Sequence, residues 1–287
     1  HAAVGGGVWE KALAYARQAG DKAQTRSDYR EAVMCFEQAL AALEHLPDSR
    51  ATTEQAIDLR LGLRNAFNVL GGEPGQMLDH LRCAETLAQT LGDQLRLGRV
   101  YADMGATFWV MGEVDRAIVY GQRALALAAP LGHVGLQAWA HHILGRAYYD
   151  AGDYARAVES LGWNVATLQG DLLYERFGTN VMVAAAARTY LSYCHAGRDA
   201  FTEGVDMAEG GLRIAETGNQ PFSLIEACSG VSAVYWRQGD VQRAIPVLER
   251  AMGLCEDWHI LNLLPRLTAA LGLAYAQDGR VAAGLSL

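Results

Sequence analysis

Along most of the chain, apolar and small residues return every three or four positions, the spacing that lines one face of an α-helix. The clearest run spans residues 139–161. Leu144, Gly145 and Tyr148 form a stripe on a first helix, Gly152 and Asp153 interrupt it, and Tyr154, Ala157 and Leu161 form the stripe of a second. A glycine can take the left-handed backbone that closes a helix. An aspartate side chain can accept from the unpaired N–H groups that open the next one. The pattern predicts two antiparallel helices joined by a tight turn.

The same phrase recurs. Met104, Gly105 and Phe108 lead through Gly112 and Glu113 to Ala117 and Ala124. Ser232 and Tyr235 lead through Gly239 and Asp240 to Ala244, Leu248 and Ala251, and Leu271, Gly272 and Tyr275 lead to Gly279 and Val281. Ser27, Asp28 and Tyr29 open a stripe of Ala32, Phe36 and Ala39, and two weaker copies turn near Gly72 and near Gly197 and Asp199. Turn markers at Ser27, Gly72, Gly112, Gly152, Gly197, Gly239 and Gly279 give steps of 40 to 45 residues. Seven helical hairpins follow, the last one cut short. The first pairs 8–25 with 29–46 and the second pairs 54–70 with 74–91. The first helix of the fifth is expected over 172–194, and Pro246 is expected to bend its helix or delay its start. Residues 8–287 then form a single solenoid, preceded at 1–7 by a linker or tag remnant.

The Leu144-Gly145, Tyr148 and Ala157 spacing, with the Gly152-Asp153-Tyr154 turn, resembles the tetratricopeptide repeat, whose common period is about 34 residues. The longer period here implies longer helices or links. HEAT-like repeats share the longer period but lack this turn. The resemblance implies an all-α fold, a right-handed α-α superhelix whose first helices line a groove. Two longer stretches carry a second resemblance. They run from Ala19-Gly20-Asp21 through Ser27-Asp28-Tyr29 to Phe36, and from Leu212 to Glu216 together with Glu249-Arg250-Ala251. They are similar to the C-terminal tetratricopeptide region of large bacterial signalling proteins, which join a class III adenylate or guanylate cyclase, or a DNA-binding regulator, to a signal-transducing ATPase. That implies a module of a longer polypeptide.

Charge and composition narrow the partners. The net charge of −8 disfavours nucleic acid, which needs basic patches, and an anionic membrane surface. No apolar run approaches the ~20 residues of a membrane span. Cys35, Cys83, Cys194, Cys228 and Cys255 show no CxxC spacing and are odd in number, so they read as reduced core thiols of a cytoplasmic protein.

Catalytic chemistry finds no motif. Gly5-Gly6-Gly7 lacks the Lys-Ser/Thr of a phosphate loop. His141 and His142 diverge by about 100° on a helix, which disfavours a shared metal. No cofactor, metal or turnover is expected. Binding is expected instead on the first helices, through aromatic and arginine anchors. The candidates are Arg99 and Trp109, with Ala102 and Ala106 beside them; His142, Arg146 and Tyr149; Tyr193; and Trp236, Arg237 and Arg266. Two placements stay open for Trp109 and Trp236, the groove or the packing between hairpins. Tyr148, Tyr235 and Tyr275 read as core. The functions consistent with this are a protein- or peptide-binding scaffold, a dimerisation or spacer module acting through terminal repeats (Val281 and Leu285 would be sticky), and a small-molecule-sensing superhelix.

Overall fold

The computed structural model describes residues 2–287, with side chains from Gly7 onward. The expected linker at 1–7 falls on His1, outside the described residues, and on positions 2–6, whose side chains are likewise outside them. Fourteen α-helices and one 3-10 turn make up the secondary structure, and no strand occurs among the described residues. The all-α hairpin reading is the observed fold.

The chain forms two compact units, residues 1–136 and 137–287. In the first, α1 (Ala2–Thr25) pairs with α2 (Tyr29–Leu43), α3 (Arg50–Val69) with α4 (Pro74–Leu91), and α5 (Gln94–Val110) with α6 (Val114–Ala128). The second unit holds α7 (Val134–Asp150), which opens just before the boundary, and α8 (Tyr154–Thr167). After them α9 (Val183–Ala196) pairs with α10 (Phe201–Gly218), α11 (Pro221–Arg237) with α12 (Val241–Trp258), and α13 (Leu264–Gln277) with α14 (Val281–Leu285).

One turn is built repeatedly. The residue after a left-handed position donates its N–H back to the carbonyl of an aromatic residue in the last turn of the first helix. Glu113 donates to Phe108 (2.9 Å), Asp153 to Tyr148 (2.9 Å), Asp240 to Tyr235 (2.9 Å) and Arg280 to Tyr275 (2.8 Å). Gly112, Gly152, Gly239 and Gly279 hold φ of 76°, 76°, 80° and 83° between them, a helix stop that a side chain would strain. Asp153 and Asp240 then cap α8 and α12 by accepting from the N–H of Arg156 (3.0 Å) and Arg243 (3.2 Å).

The same arginines fold back over the aromatic. The guanidinium of Arg116 lies 3.7 Å from the Phe108 centroid, Arg156 4.5 Å from Tyr148, Arg243 3.9 Å from Tyr235 and Arg280 4.1 Å from Tyr275. Each also meets an acid at the turn: Glu113 (2.7 Å), Asp153 (2.6 Å), Asp240 (3.9 Å) and Asp278 (2.9 Å). Cation–π contacts at such exposure contribute about 0.5–1 kcal/mol each. Tyr148 and Tyr235 are core as expected, but Tyr275 is only partly buried. The short helix α14 covers less of it, and its hydroxyl donates to Glu249 at 2.7 Å.

Several expected boundaries move. The second hairpin turns on Gly71 (φ 70°), one residue before Gly72, and α2 ends at Leu43 rather than 46. The fifth turns on Asp199 (φ 58°), not Gly197, which stays in right-handed backbone at φ −69°. Its first helix does not cover 172–194. A 3-10 turn at Gly170–Tyr174 comes first, Phe177 and Gly178 then take positive φ, and α9 begins only at Val183. The intervening loop is tied down where the Thr179 hydroxyl donates to Val181 O (2.9 Å) and Gln220 Nε2 donates to Asn180 O (3.0 Å). Pro246 sits inside α12 without delaying it, because α12 starts at Val241 on its Asp240 cap. Cys194, Cys228 and Cys255 are buried free thiols, pushed by burial to about 12, 11 and 11, but Cys35 is only partly covered and Cys83 is exposed. Those two lie on outward faces of second helices rather than in the core.

Three glycine substitutions separate the turn from the packing. A Cβ on Gly145 would meet Leu161 Cγ at 2.4 Å, so Gly145→Ala should destabilise by about 1–3 kcal/mol. Gly152→Ala, at φ 76° with open space around it, should lose about 1–2 kcal/mol through backbone strain alone. Gly162→Ala, in open space on α8, should gain about 0.5–1 kcal/mol. Urea unfolding of the three variants reads the order directly. Equal effects would mean that hairpin closure does not depend on this turn.

Candidate functional site

Within residues 137–287, α9 packs on α11, and ring contacts join α7 to α9. The first helices of successive hairpins thus share a face. Helical spacing places His142, Arg146 and Tyr149 along α7, and Tyr190 and Tyr193 along α9.

Aromatic rings form the floor. Tyr190 meets Tyr193 edge-on at 5.3 Å and His142 at 5.7 Å, and Tyr149 lies 5.8 Å from Tyr193 and 6.3 Å from Tyr190. Tyr190 is buried, whereas Tyr149 and Tyr193 keep part of their surface open. Burial pushes all three phenols above their ordinary value, so they act as neutral donors and acceptors at physiological pH.

Arginines sit around the rings. The Arg146 guanidinium lies 5.1 Å from the Tyr190 centroid, and its Nη1 is 3.5 Å from His142 Nε2. Arg237, exposed at the end of α11, reaches the Tyr149 hydroxyl at 3.5 Å. Arg266, near the start of α13, is the most telling. Its side chain is exposed and lies within electrostatic reach of Tyr190, Tyr193 and Glu226. Burial works against its charge, but Tyr193, Tyr190 and Glu226 outweigh that and hold it above its ordinary value.

Sequence reasoning named six members of this group, His142, Arg146, Tyr149, Tyr193, Arg237 and Arg266, and missed Tyr190 and Glu226. Tyr190 stands one helical turn before Tyr193. Glu226 is, with Arg237, one of only two charged residues in the otherwise apolar or small α11. It is 3% exposed. That lone charge on an apolar helix was the available signal.

Other candidates lie elsewhere. His142 is fully buried, stacked on Trp139 at 5.4 Å, so it supports the face from beneath and offers no surface. Trp236 packs beside the cluster of Ala196, Val231 and Tyr235, and its Nε1 donates to Gln277 Oε1 on α13 at 2.6 Å. This is the between-hairpin placement. Arg99 and Trp109 belong to the first unit, where Ala102 and Ala106 are buried core. Arg99 is 3.5 Å from Asp103, a fully buried acid that also faces the buried Arg64 at 4.0 Å. Nearby, Arg96 forks onto Asp58 (2.9 and 3.1 Å) and reaches Asp93 (2.7 Å). The charges on α3 and α5 are thus largely spent on one another. Among the described residues no cluster of His, Cys, Asp and Glu could hold a metal, and no helix is long and apolar enough to cross a membrane.

Residues 227–257 match the model of the Tetratricopeptide repeat family. No curated protein matches the chain. Among solved structures, a Rap protein complexed with competence and sporulation factor is similar at 15% identity and TM-score 0.76, over 96% of this chain and 72% of that one. The Rap conjugation gene regulator of plasmid pLS20, in complex with a Phr peptide, is similar at 15% identity and TM-score 0.75, over 96% and 71%. A tetratricopeptide repeat protein from Parabacteroides merdae is similar at 12% identity and TM-score 0.55, over 96% and 91%. These likenesses establish a tetratricopeptide-type helical repeat.

The buried histidine makes stability depend on pH. Burial, then the Arg146 charge, hold His142 well below its ordinary 6.5, and burial likewise lowers His141 and His80. The unfolded chain therefore binds protons that the folded chain refuses. Stability is full above about pH 6.5 and falls as pH drops below it, by up to about 1.4 kcal/mol per pH unit for His142. Melting temperatures from pH 7.5 to 5 should fall more steeply for the wild type than for His142→Gln. Parallel curves would show that His142 is protonated in the folded state.

Proposed function

We propose that the face shared by α7, α9, α11 and α13 binds a peptide or an extended segment of a protein, and that the chain is a recognition scaffold rather than a catalyst. The observation that carries this reading is a solvent-exposed Arg266 beside a floor of tyrosine rings, of which Tyr149 and Tyr193 are partly open. Aromatic and arginine side chains are the types that anchor recognition surfaces, because they offer large area and several donors at low entropic cost. Arg146, Arg237 and Arg266 together outnumber the acids near these rings, Glu226 and Asp150, although the whole chain is acidic. The face therefore favours segments that carry carboxylates. The two Rap structures hold a signalling factor and a peptide, which supports peptide binding here. The resemblance of residues 19–36 to signalling-protein repeats supports a place within a larger signalling protein, with the bound segment coming from a partner or from that protein itself.

The reading is tested with an array of immobilised hexapeptides of graded charge and apolarity. Wild-type protein should select acidic, partly apolar members. Tyr193→Ala and Arg266→Glu should each weaken that binding by about tenfold or more, with melting within a few degrees of wild type. If no peptide separates the wild type from either variant, the face is not a recognition surface.

A further inference from the structure

Glu226 is the unexplained group on this face. It is 3% exposed, and its Oε2 has no hydrogen-bond partner. A buried carboxyl with an unfilled oxygen is costly, and folded proteins satisfy nearly all such groups. Its surroundings are those of the binding face. It lies within electrostatic reach of Tyr190, Tyr193 and Arg266. Its immediate neighbours on α11, from Leu224 to Cys228, are apolar and buried, and one turn on the Ser229 hydroxyl donates to Ile225 O instead.

We propose that Glu226 is a ligand-reading residue whose unfilled oxygen accepts a hydrogen bond from an N–H donor of the bound segment. The inference rests on the reading of this face as a peptide site. Arg266 beside it is a donor, so the pair presents an acceptor and a donor side by side. A peptide offers the complement, an N–H group next to a carbonyl or carboxylate oxygen. Oε2 is closed off in the empty face, so binding must shift the side chains around it. Arg266, long and open to solvent, is the one able to swing onto the segment's oxygen. The N–H donor has two sources in one peptide, a backbone amide or the ammonium of a lysine.

Two variants separate these sources. Glu226→Gln removes the charge but keeps an acceptor oxygen, whereas Glu226→Met removes both at similar volume. The probes are a hexapeptide selected on the wild-type array, its lysine-to-norleucine analogue and its singly N-methylated analogues, titrated by fluorescence anisotropy. A backbone donor predicts that Gln binds like wild type, that Met binds about tenfold more weakly, and that one N-methylation reproduces the loss in the wild type. An ammonium donor predicts that Gln and Met both lose about tenfold and that norleucine reproduces the loss. In either case the melting temperature of Glu226→Met should stay level or rise, because an unsatisfied buried acid has been removed. Wild-type affinity in both variants overturns the inference and leaves the peptide reading standing, as does an equal loss for every probe accompanied by a lowered melting temperature. Absence of any array member that binds the wild type overturns both.

Discussion

The structure depends on one hydrogen bond made over and over, from the residue after a left-handed position to the carbonyl five residues back along the chain. At Gly112, Gly152, Gly239 and Gly279 it closes a first helix and aims the second back along it. The turn fixes the azimuth of the first helix relative to its hairpin partner, and with it the stripe left uncovered. Without a constant turn, residues such as Arg146 on α7 and Tyr193 on α9 would point in unrelated directions. Where the hairpin shows Asp199 or Ser27 in place of glycine, the same bond is made at the cost of a non-glycine in left-handed backbone.

The first helices spend their polar residues in two ways. On α3 and α5, arginines and acids face one another, and Arg64 and Asp103 do so with almost no solvent contact. Such pairing offsets desolvation but leaves little to offer a partner. On α7 to α13 the acids are fewer and tyrosines replace them. A phenol neither neutralises a guanidinium nor demands desolvation of a full charge, so Arg266 keeps its positive potential while packed against rings. Surplus charge over an aromatic floor is the physical difference between a face that supports the fold and one that can receive something.

The turns of the regular hairpins were legible in the sequence to the residue, because Gly152-Asp153 and Gly239-Asp240 each encode both a helix stop and a cap. The fifth hairpin was not. Its segment at 172–182 is apolar enough to continue a helix, and only Gly178 and the Thr179-Asn180 pair mark the break. Gly197 drew the turn assignment because glycine is the usual left-handed residue, yet Asp199 takes that conformation. Residue type also overstated exposure. Helical spacing put His142 among the groove candidates, but it is fully buried, because Tyr190, far along the chain, packs against it from α9. Trp236 shows the same limit, since its partner Gln277 lies a whole hairpin away.

The arginine that folds over the turn aromatic of its own hairpin carries a kinetic consequence. Phe108 with Arg116, Tyr148 with Arg156 and Tyr235 with Arg243 are each only eight residues apart in the chain. Ring, guanidinium and turn acid can therefore assemble before any contact with another hairpin exists, and the loop to be closed is minimal. Each hairpin built this way carries its own nucleus, and order spreads by adding neighbours. The fifth hairpin lacks this staple and hangs on a long loop instead. It is the natural seam at which growth from one side waits for growth from the other, and amide exchange along the chain should record it as the least protected joint.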